Sequence, residues 1–297
     1  MKRRRAEAAL IVNTVIWGAT FTLVKGALEG VSPILFLALR FSVATVGLAA
    51  FFRWRGGKGW ARRELRAGGA WRAGCLTGAF LFSGYLLQTQ GLRFTTAPKS
   101  AFVTGLSCVM VPLLGALVYR SRPRFSEVVG VLVASAGLGL MTLPGAVGSI
   151  GLGDLLTLLG ALGFAAYVVA LGHFSEHMSF ESLSVWQVGS AALLSLALCG
   201  WAEKPRLEWR PVVVCAILIT GILATALAFT VQAWAQQFTT ATRTALIYLL
   251  EPVFAWMTSY VLAGENLTGR GAVGAVLILG GVMMVELKPW CPRLHPS

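Results

Sequence analysis

The sequence predicts an all-α polytopic membrane protein, with ten transmembrane helices arranged as two inverted five-helix repeats. Three observations predict it: ten apolar stretches of near-bilayer length, a one-sided distribution of Lys and Arg over the connecting segments, and an internal repeat offset by 144 residues.

Composition identifies the solvent. Of the 297 residues 56% are hydrophobic and only 12% charged, with a mean hydropathy of +0.73. A soluble fold of this size would need far more charge on its surface, whereas hydrocarbon needs none. The cysteines Cys75, Cys108, Cys199, Cys215 and Cys291 include no C-x-x-C pair. Four of them lie in apolar runs as small hydrophobes, so the sequence indicates no disulfide framework and no metal site.

A helix rising 1.5 Å per residue needs about 20 residues to cross ~30 Å of hydrocarbon. Segments near 8–28, 33–52, 73–92, 98–119, 126–143, 154–172, 182–200, 211–234, 243–263 and 270–287 qualify. The first follows Lys2-Arg3-Arg4-Arg5 as a signal-peptide core would, but its run from Ala8 to Leu28 is too long and lacks a cleavage site. It reads as a retained span. Gly74 with Gly78 and Gly271 with Gly274 sit one helical turn apart, a spacing that lets helix backbones approach in lipid.

An even span count puts both termini on one side. Segments on that side hold 17 Lys and Arg, seven of them between Arg53 and Arg72, whereas the other side holds Arg93, Lys99, Lys204, Arg206, Arg210 and Arg270. Positive charge is retained in the cytoplasm, so both termini are expected there. The net charge of +13 is then a topology signal, and no nucleic-acid partner is expected. The stretch 53–72, with Trp54, Trp60 and Trp71, is expected to lie along the anionic inner leaflet, which makes membrane lipid a partner.

Residues 88–141 align without a gap on 232–285. Gln88 falls on Gln232, Phe94-Thr95-Thr96-Ala97 on Phe238-Thr239-Thr240-Ala241, and Val129-Gly130 on Val273-Gly274. Chance similarity between apolar helices rarely preserves a polar-loop tetrapeptide. The chain therefore divides into a first five-span repeat at 1–145, a second at 150–290 and a cytoplasmic tail at 291–297. Because five is odd, the second repeat enters the membrane from the opposite face. Inverted halves can exchange conformations and open a shared midplane site to each side in turn.

Several short motifs then fall in order: Trp17-Gly18-Ala19-Thr20-Phe21 with Lys25, Pro33, Arg40-Phe41, Thr95-Thr96-Ala97, Gly153-Asp154-Leu155-Leu156, Leu250-Glu251-Pro252-Val253 and Gly264-Glu265. In these the chain resembles the drug/metabolite transporter superfamily, specifically its EamA-type ten-span members, over about residues 8–287. The resemblance implies a carrier of the plasma (inner) membrane, often an exporter, with its substrate cavity between the halves. Family substrates range over amino acids, nucleotide precursors, sugars and drugs. The expected function is thus secondary transport, in the export direction, of small organic metabolites such as amino acids or related solutes. A facilitative pore without coupling and an intramembrane enzyme are the alternatives. Proton coupling or counter-substrate exchange, and a monomer or a homodimer, all stay open.

Ionisable groups inside a span mark function because an unpaired charge in hydrocarbon is costly. Glu251 lies mid-span, followed by Pro252, which removes a helical hydrogen bond and bares backbone to a cavity. Lys25 and Arg40 are the other intramembrane charges; Lys25 lies one turn from a span end and can snorkel, and Arg40 is expected to pair with a carbonyl or an acid. A small-molecule cavity needs an apolar, aromatic lining and a few polar groups. Candidates are Asn13, Trp17 and Thr20 in span 1, Tyr85 and Gln88 in span 3, and Thr104 and Ser107 in span 4. The second half offers Tyr167 in span 6, Trp186 in span 7, Thr225 and Gln232 in span 8, and Tyr248 with Glu251 in span 9.

Two enzyme-like strings are weaker. His173-Phe174-Ser175-Glu176-His177 spells an inverted zinc-peptidase pattern, but only His295 remains as a further histidine. Gly151-Leu152-Gly153-Asp154 spells an intramembrane aspartyl-protease pattern, yet Asp154 is the only aspartate and better suits a helix start. No phosphate-cradling Gly-Lys loop is present, so neither a nucleotide nor another cofactor is expected.

Overall fold

The computed structural model describes residues 1–56, 69–95, 97–119, 125–142, 151–254, 257 and 269–286. Helices account for nearly all of them: α1 (Lys2–Ala27), α2 (Pro33–Gly56), α3 (Ala70–Gly91), α4 (Ala97–Gly105), α5 (Ser107–Tyr119), α6 (Phe125–Thr142), α7 (Leu152–Ser175), α8 (Phe180–Ala202), α9 (Pro211–Gly221), α10 (Ala228–Ala235), α11 (Ala241–Tyr248) and α12 (Gly269–Glu286). A π-helical segment, Ile222–Leu227, joins α9 to α10. Among the described residues the extended backbone amounts to one bridge, Val31 with Leu207.

Five stretches are both long and apolar enough to cross a bilayer: Pro33–Gly56, Phe102–Tyr119, Leu152–Ser175, Phe180–Ala202 and Pro211–Ala235. Phe125–Leu140 and Gly269–Val285 are shorter apolar helices. Burial follows the logic of a lipid solvent. Leu117, Leu193, Leu196 and Val276 point outward, while inward hydroxyls close on their own helix. Thr77 donates to the Ala73 carbonyl, Ser195 to Ala191 and Thr220 to Ala216. Such back-bonding satisfies polar groups where water is absent.

The principal packings are α6 with α12, α3 with α7 and α8, and α2 with α8; α1 packs on α9 and α10, and α5 on α7 and α11. Glycine sets the closest of them. A Cβ at Gly130 would fall on the Gly281 carbonyl, and one at Gly137 on the Gly274 carbonyl, so α6 and α12 touch backbone to backbone. A Cβ at Gly74 would meet Trp186, and one at Gly78 would meet Ser190 and the Gln187 carbonyl.

At the end where α1 stops and α2 starts, two loops join. Ser32 N–H donates to the Arg206 carbonyl and Glu208 N–H to the Gly30 carbonyl. Glu203 accepts from the Leu35 amide at 2.8 Å, placing a carboxylate at the positive N-terminus of α2. At the other end Glu7 bridges Arg3 at 2.9 Å and Arg243 at 3.4 Å, and Arg243 also donates to the Val285 carbonyl. α1, α11 and α12 are thereby tied together there.

The stretches expected as single spans at 98–119 and 243–263 both contain a break. α4 passes to α5 through a turn at Leu106, and α11 ends in a turn at Leu249–Leu250. The hydrogen bonds tighten alike, with Leu106 N–H on the Val103 carbonyl and Leu250 N–H on the Ile247 carbonyl. Pro252 explains the second break, because it lacks the N–H that the Tyr248 carbonyl would accept from.

Candidate functional site

The two breaks face a chamber of about 220 Å³. It is walled by α1, α2, α3, α4, α5, α7, α10, α11 and the turn after α11, and its floor is aromatic. Trp17 and Tyr248 meet edge to face at 4.8 Å between centroids, Trp17 and Phe229 lie at 5.6 Å, and Tyr167 and Phe229 at 5.8 Å. Tyr85 meets Phe164 at 5.0 Å.

Polar groups enter this lining at few points. Gln88 donates to the Thr104 hydroxyl at 3.0 Å across α3 and α4. Gln232 is wholly buried, and both of its amide atoms lack partners among the described residues. Buried polar groups left this way cost roughly 1–3 kcal/mol each, which a bound polar solute or water would recover.

Arg40, 4% exposed, enters from α2. Its Nε donates to the Thr225 hydroxyl at 2.6 Å, and its Nη2 to the Tyr85 hydroxyl and the Ala224 carbonyl, both at 3.3 Å. The guanidinium carbon stands 4.7 Å from the Tyr85 ring centroid. Trp17 Nε1 donates to the same Ala224 carbonyl at 2.8 Å. The π-helical turn thus carries two of the three groups that receive Arg40, in keeping with the frequent use of such turns at functional sites.

Trp17, Thr20, Arg40, Tyr85, Gln88, Thr104, Ser107, Tyr167, Gln232, Tyr248 and Glu251 all line the chamber. Asn13 instead donates to the Ala228 carbonyl at 2.8 Å, joining α1 to α10. Thr225 stands behind Arg40 as its acceptor, and Trp186 packs at the α3–α8 crossing. The Lys25 side chain lies outside the described residues. Phe36, Leu37, Phe164 and Phe229 also line the site; apolar residues in an apolar helix carry no sequence signal that separates a cavity wall from a helix contact.

Eight pairs separated by 144 residues line the chamber with both members: Thr20 and Phe164, Val24 and Val168, Tyr85 and Phe229, Gln88 and Gln232, Thr104 and Tyr248, Gly105 and Leu249, Ser107 and Glu251, Cys108 and Pro252.

Comparison with known proteins adds the following. The chain matches the EamA-like transporter family over residues 4–143 and again over 151–287. An uncharacterized transporter of Archaeoglobus fulgidus is 33% identical over 288 residues, covering 97% of this chain and 88% of that protein. A probable terminal-alkyne amino-acid exporter of Streptantibioticus cattleyicolor is 25% identical, covering 100% of this chain and 98% of the exporter. A solved crystal structure superposes with a TM-score of 0.79 at 22% identity, covering 96% of this chain and 97% of its own. That last likeness speaks for the fold alone.

Proposed function

The chain belongs to the EamA-like transporter family, and from that premise we propose that it is a secondary carrier that exports small organic metabolites, amino acids or related solutes, by alternating access. Membership makes it a multi-pass membrane transporter rather than an enzyme. The proposed architecture is ten spans in two inverted repeats, 1–145 and 150–290, with both termini cytoplasmic in the plasma membrane.

One observation carries the reading: the eight pairs 144 residues apart that line one chamber with both members. Packing supports it. Shifting the contact of Gly130 on Gly281 by the repeat offset gives that of Gly274 on Gly137, which is also present. Likewise α3 on α7 corresponds to α9 and α10 on α1, and α3 on α8 to α9 on α2. Two-fold-related halves meeting at a common site are what an exchange of conformations requires. Breaks at Leu106 and at Leu249–Leu250 supply bared backbone at that site, as discontinuous helices do in other transporters.

The chamber lining reaches Val24, Phe36 and Leu92, close to where α1 and α3 stop and α2 starts. At the opposite end the Glu7–Arg243 pair binds α1 to α11. In this reading that pair is the latch of the cytoplasmic gate, and the structure is closed on the cytoplasmic side. The chamber's 220 Å³ lies below the ~300–1,000 Å³ of pockets for drug-sized ligands, which favours a small metabolite. The exporter among the relatives supports amino acids and the direction.

Purified protein in liposomes tests this. A preloaded unlabelled solute should drive saturable, transient accumulation of the labelled one. Flux that rises linearly with concentration and shows no counterflow would instead establish a pore.

A further inference from the structure

Resting on the carrier reading above, we infer that Arg40 is the anchor for a substrate carboxylate, that Glu251 receives the substrate's ammonium group, and that the chamber therefore selects apolar α-amino acids in their zwitterionic form.

Arg40 is a permanently charged group held 4% exposed inside a span. Among the described residues no carboxylate forms an ion pair with it; its acceptors are the neutral Thr225 hydroxyl, Tyr85 hydroxyl and Ala224 carbonyl. A buried cation whose hydrogen bonds go only to neutral dipoles is an expensive arrangement unless an anion visits. These three acceptors and the Tyr85 ring also fix the guanidinium plane. They engage Nε and Nη2, and the two N–H groups of Nη1 have no acceptor among the described residues. That edge remains free for a carboxylate, whose charge-assisted hydrogen bonds to a guanidinium are about twice as strong as neutral ones.

Glu251 lines the same chamber from the turn after α11, and among the described residues it accepts no hydrogen bond and forms no ion pair. The chamber therefore presents one fixed cation and one carboxyl group, unpaired with each other, together with the Trp17, Phe229 and Tyr248 rings. A small zwitterion satisfies both polar groups at once. Its apolar side chain would rest on the rings, which also favour a nearby ammonium. A dicarboxylate or a diamine would leave one like-charge contact in a low-dielectric site.

The arrangement belongs to one half alone. Ser107 occupies the position 144 residues before Glu251, and Gln187 of α8, whose carbonyl faces Gly78 as the Arg40 carbonyl faces Gly221, takes the place of Arg40. Repeat symmetry builds the chamber, and the two departures from it supply the charges.

The test is counterflow in liposomes holding the full chain, with L-leucine, L-methionine and L-phenylalanine each paired with its amide and with the corresponding acid lacking the amine. Expected: the amino acids exchange and compete, the amides compete at least about tenfold more weakly, and Arg40→Gln raises half-saturation for the amino acid at least about tenfold while levelling acid and amide. The amine-free acids should still distinguish Arg40 from Gln but no longer respond to Glu251→Gln. Amides competing as well as their acids in the unaltered chain would overturn the anchor while leaving counterflow, and hence the carrier, intact. Absence of counterflow for all three amino acids would overturn the amino-acid selectivity, whereas flux that rises linearly for every solute would overturn the carrier reading itself. Should Arg40→Gln fail to fold, discrimination between acid and amide by the unaltered chain decides the question.

Discussion

Gly280 and Gly281 are neighbours in α12 and should respond oppositely to the same substitution. A Cβ at Gly281 would stand 2.5 Å from the Gly130 carbonyl oxygen and 2.8 Å from the Ala134 Cβ, whereas a Cβ at Gly280 meets nothing within 4 Å. Ordinary contact needs about 3.4 Å or more, so Gly281→Ala must push α6 and α12 apart by roughly 1 Å, an overpacking that typically costs about 1–3 kcal/mol. Backbone atoms cannot turn aside as a flexible side chain can. Gly280→Ala meets no such wall and gains helix propensity, about 0.8–1 kcal/mol in water-soluble hosts. At roughly 2–4 °C per kcal/mol, melting of the purified protein in detergent should fall by about 2–12 °C for Gly281→Ala and hold or rise for Gly280→Ala. Equal losses from both variants, or an unchanged Gly281→Ala, would refute the close approach of the two backbones.

Three further outcomes follow. Glu7→Gln, which removes the carboxylate that bridges the buried Arg243 to α1, should lower stability by roughly 3 kcal/mol in the same melting assay, and the charge-swapped pair Glu7→Arg with Arg243→Glu should recover part of the loss. Glu251→Gln should abolish the pH dependence of flux while shifting the melting temperature little, because the carboxyl makes no hydrogen bond among the described residues; flux with unaltered pH dependence would remove its proposed role. The Arg40→Gln effect on half-saturation, set out above with its acid and amide controls, completes the group.

Much of the fold was legible because lipid imposes a coarse rule, that a crossing helix must be apolar for its whole length. Pro33–Gly56 and Pro211–Ala235 follow it, each opened by a proline that suits a first helical turn. The likeness of Phe94-Thr95-Thr96-Ala97 to Phe238-Thr239-Thr240-Ala241 was legible because polar loop residues change the register of an alignment more sharply than apolar ones do. The π-helical turn was not. Ile222-Leu223-Ala224-Thr225-Ala226-Leu227 reads as ordinary helix, and what distinguishes it is tertiary: Arg40 and Trp17 arrive from other helices on the Ala224 carbonyl. The break at Leu106 was hidden for the same reason. Pro252 foretold its counterpart, but the first half has Cys108 at that position, and the close approach of Gly105 to Leu138 becomes visible only in three dimensions.

The site divides in the same way. Glu251 and Arg40 stood out as charges in spans, and the chamber holds both. Asn13 and Trp186 have the same chemistry as cavity residues but use it for helix packing, because sequence gives no azimuth around a helix. Arg40 was expected to meet a carbonyl or an acid, and among the described residues its acceptors are Thr225, Tyr85 and the Ala224 carbonyl.

Opposed halves around one chamber are most directly tested by single cysteines at Thr95 and Thr239, labelled by a membrane-impermeant maleimide in intact cells and in inverted vesicles. Position 95 should be labelled only from outside and position 239 only from the cytoplasmic side. Labelling of both from the same face would contradict the opposed halves.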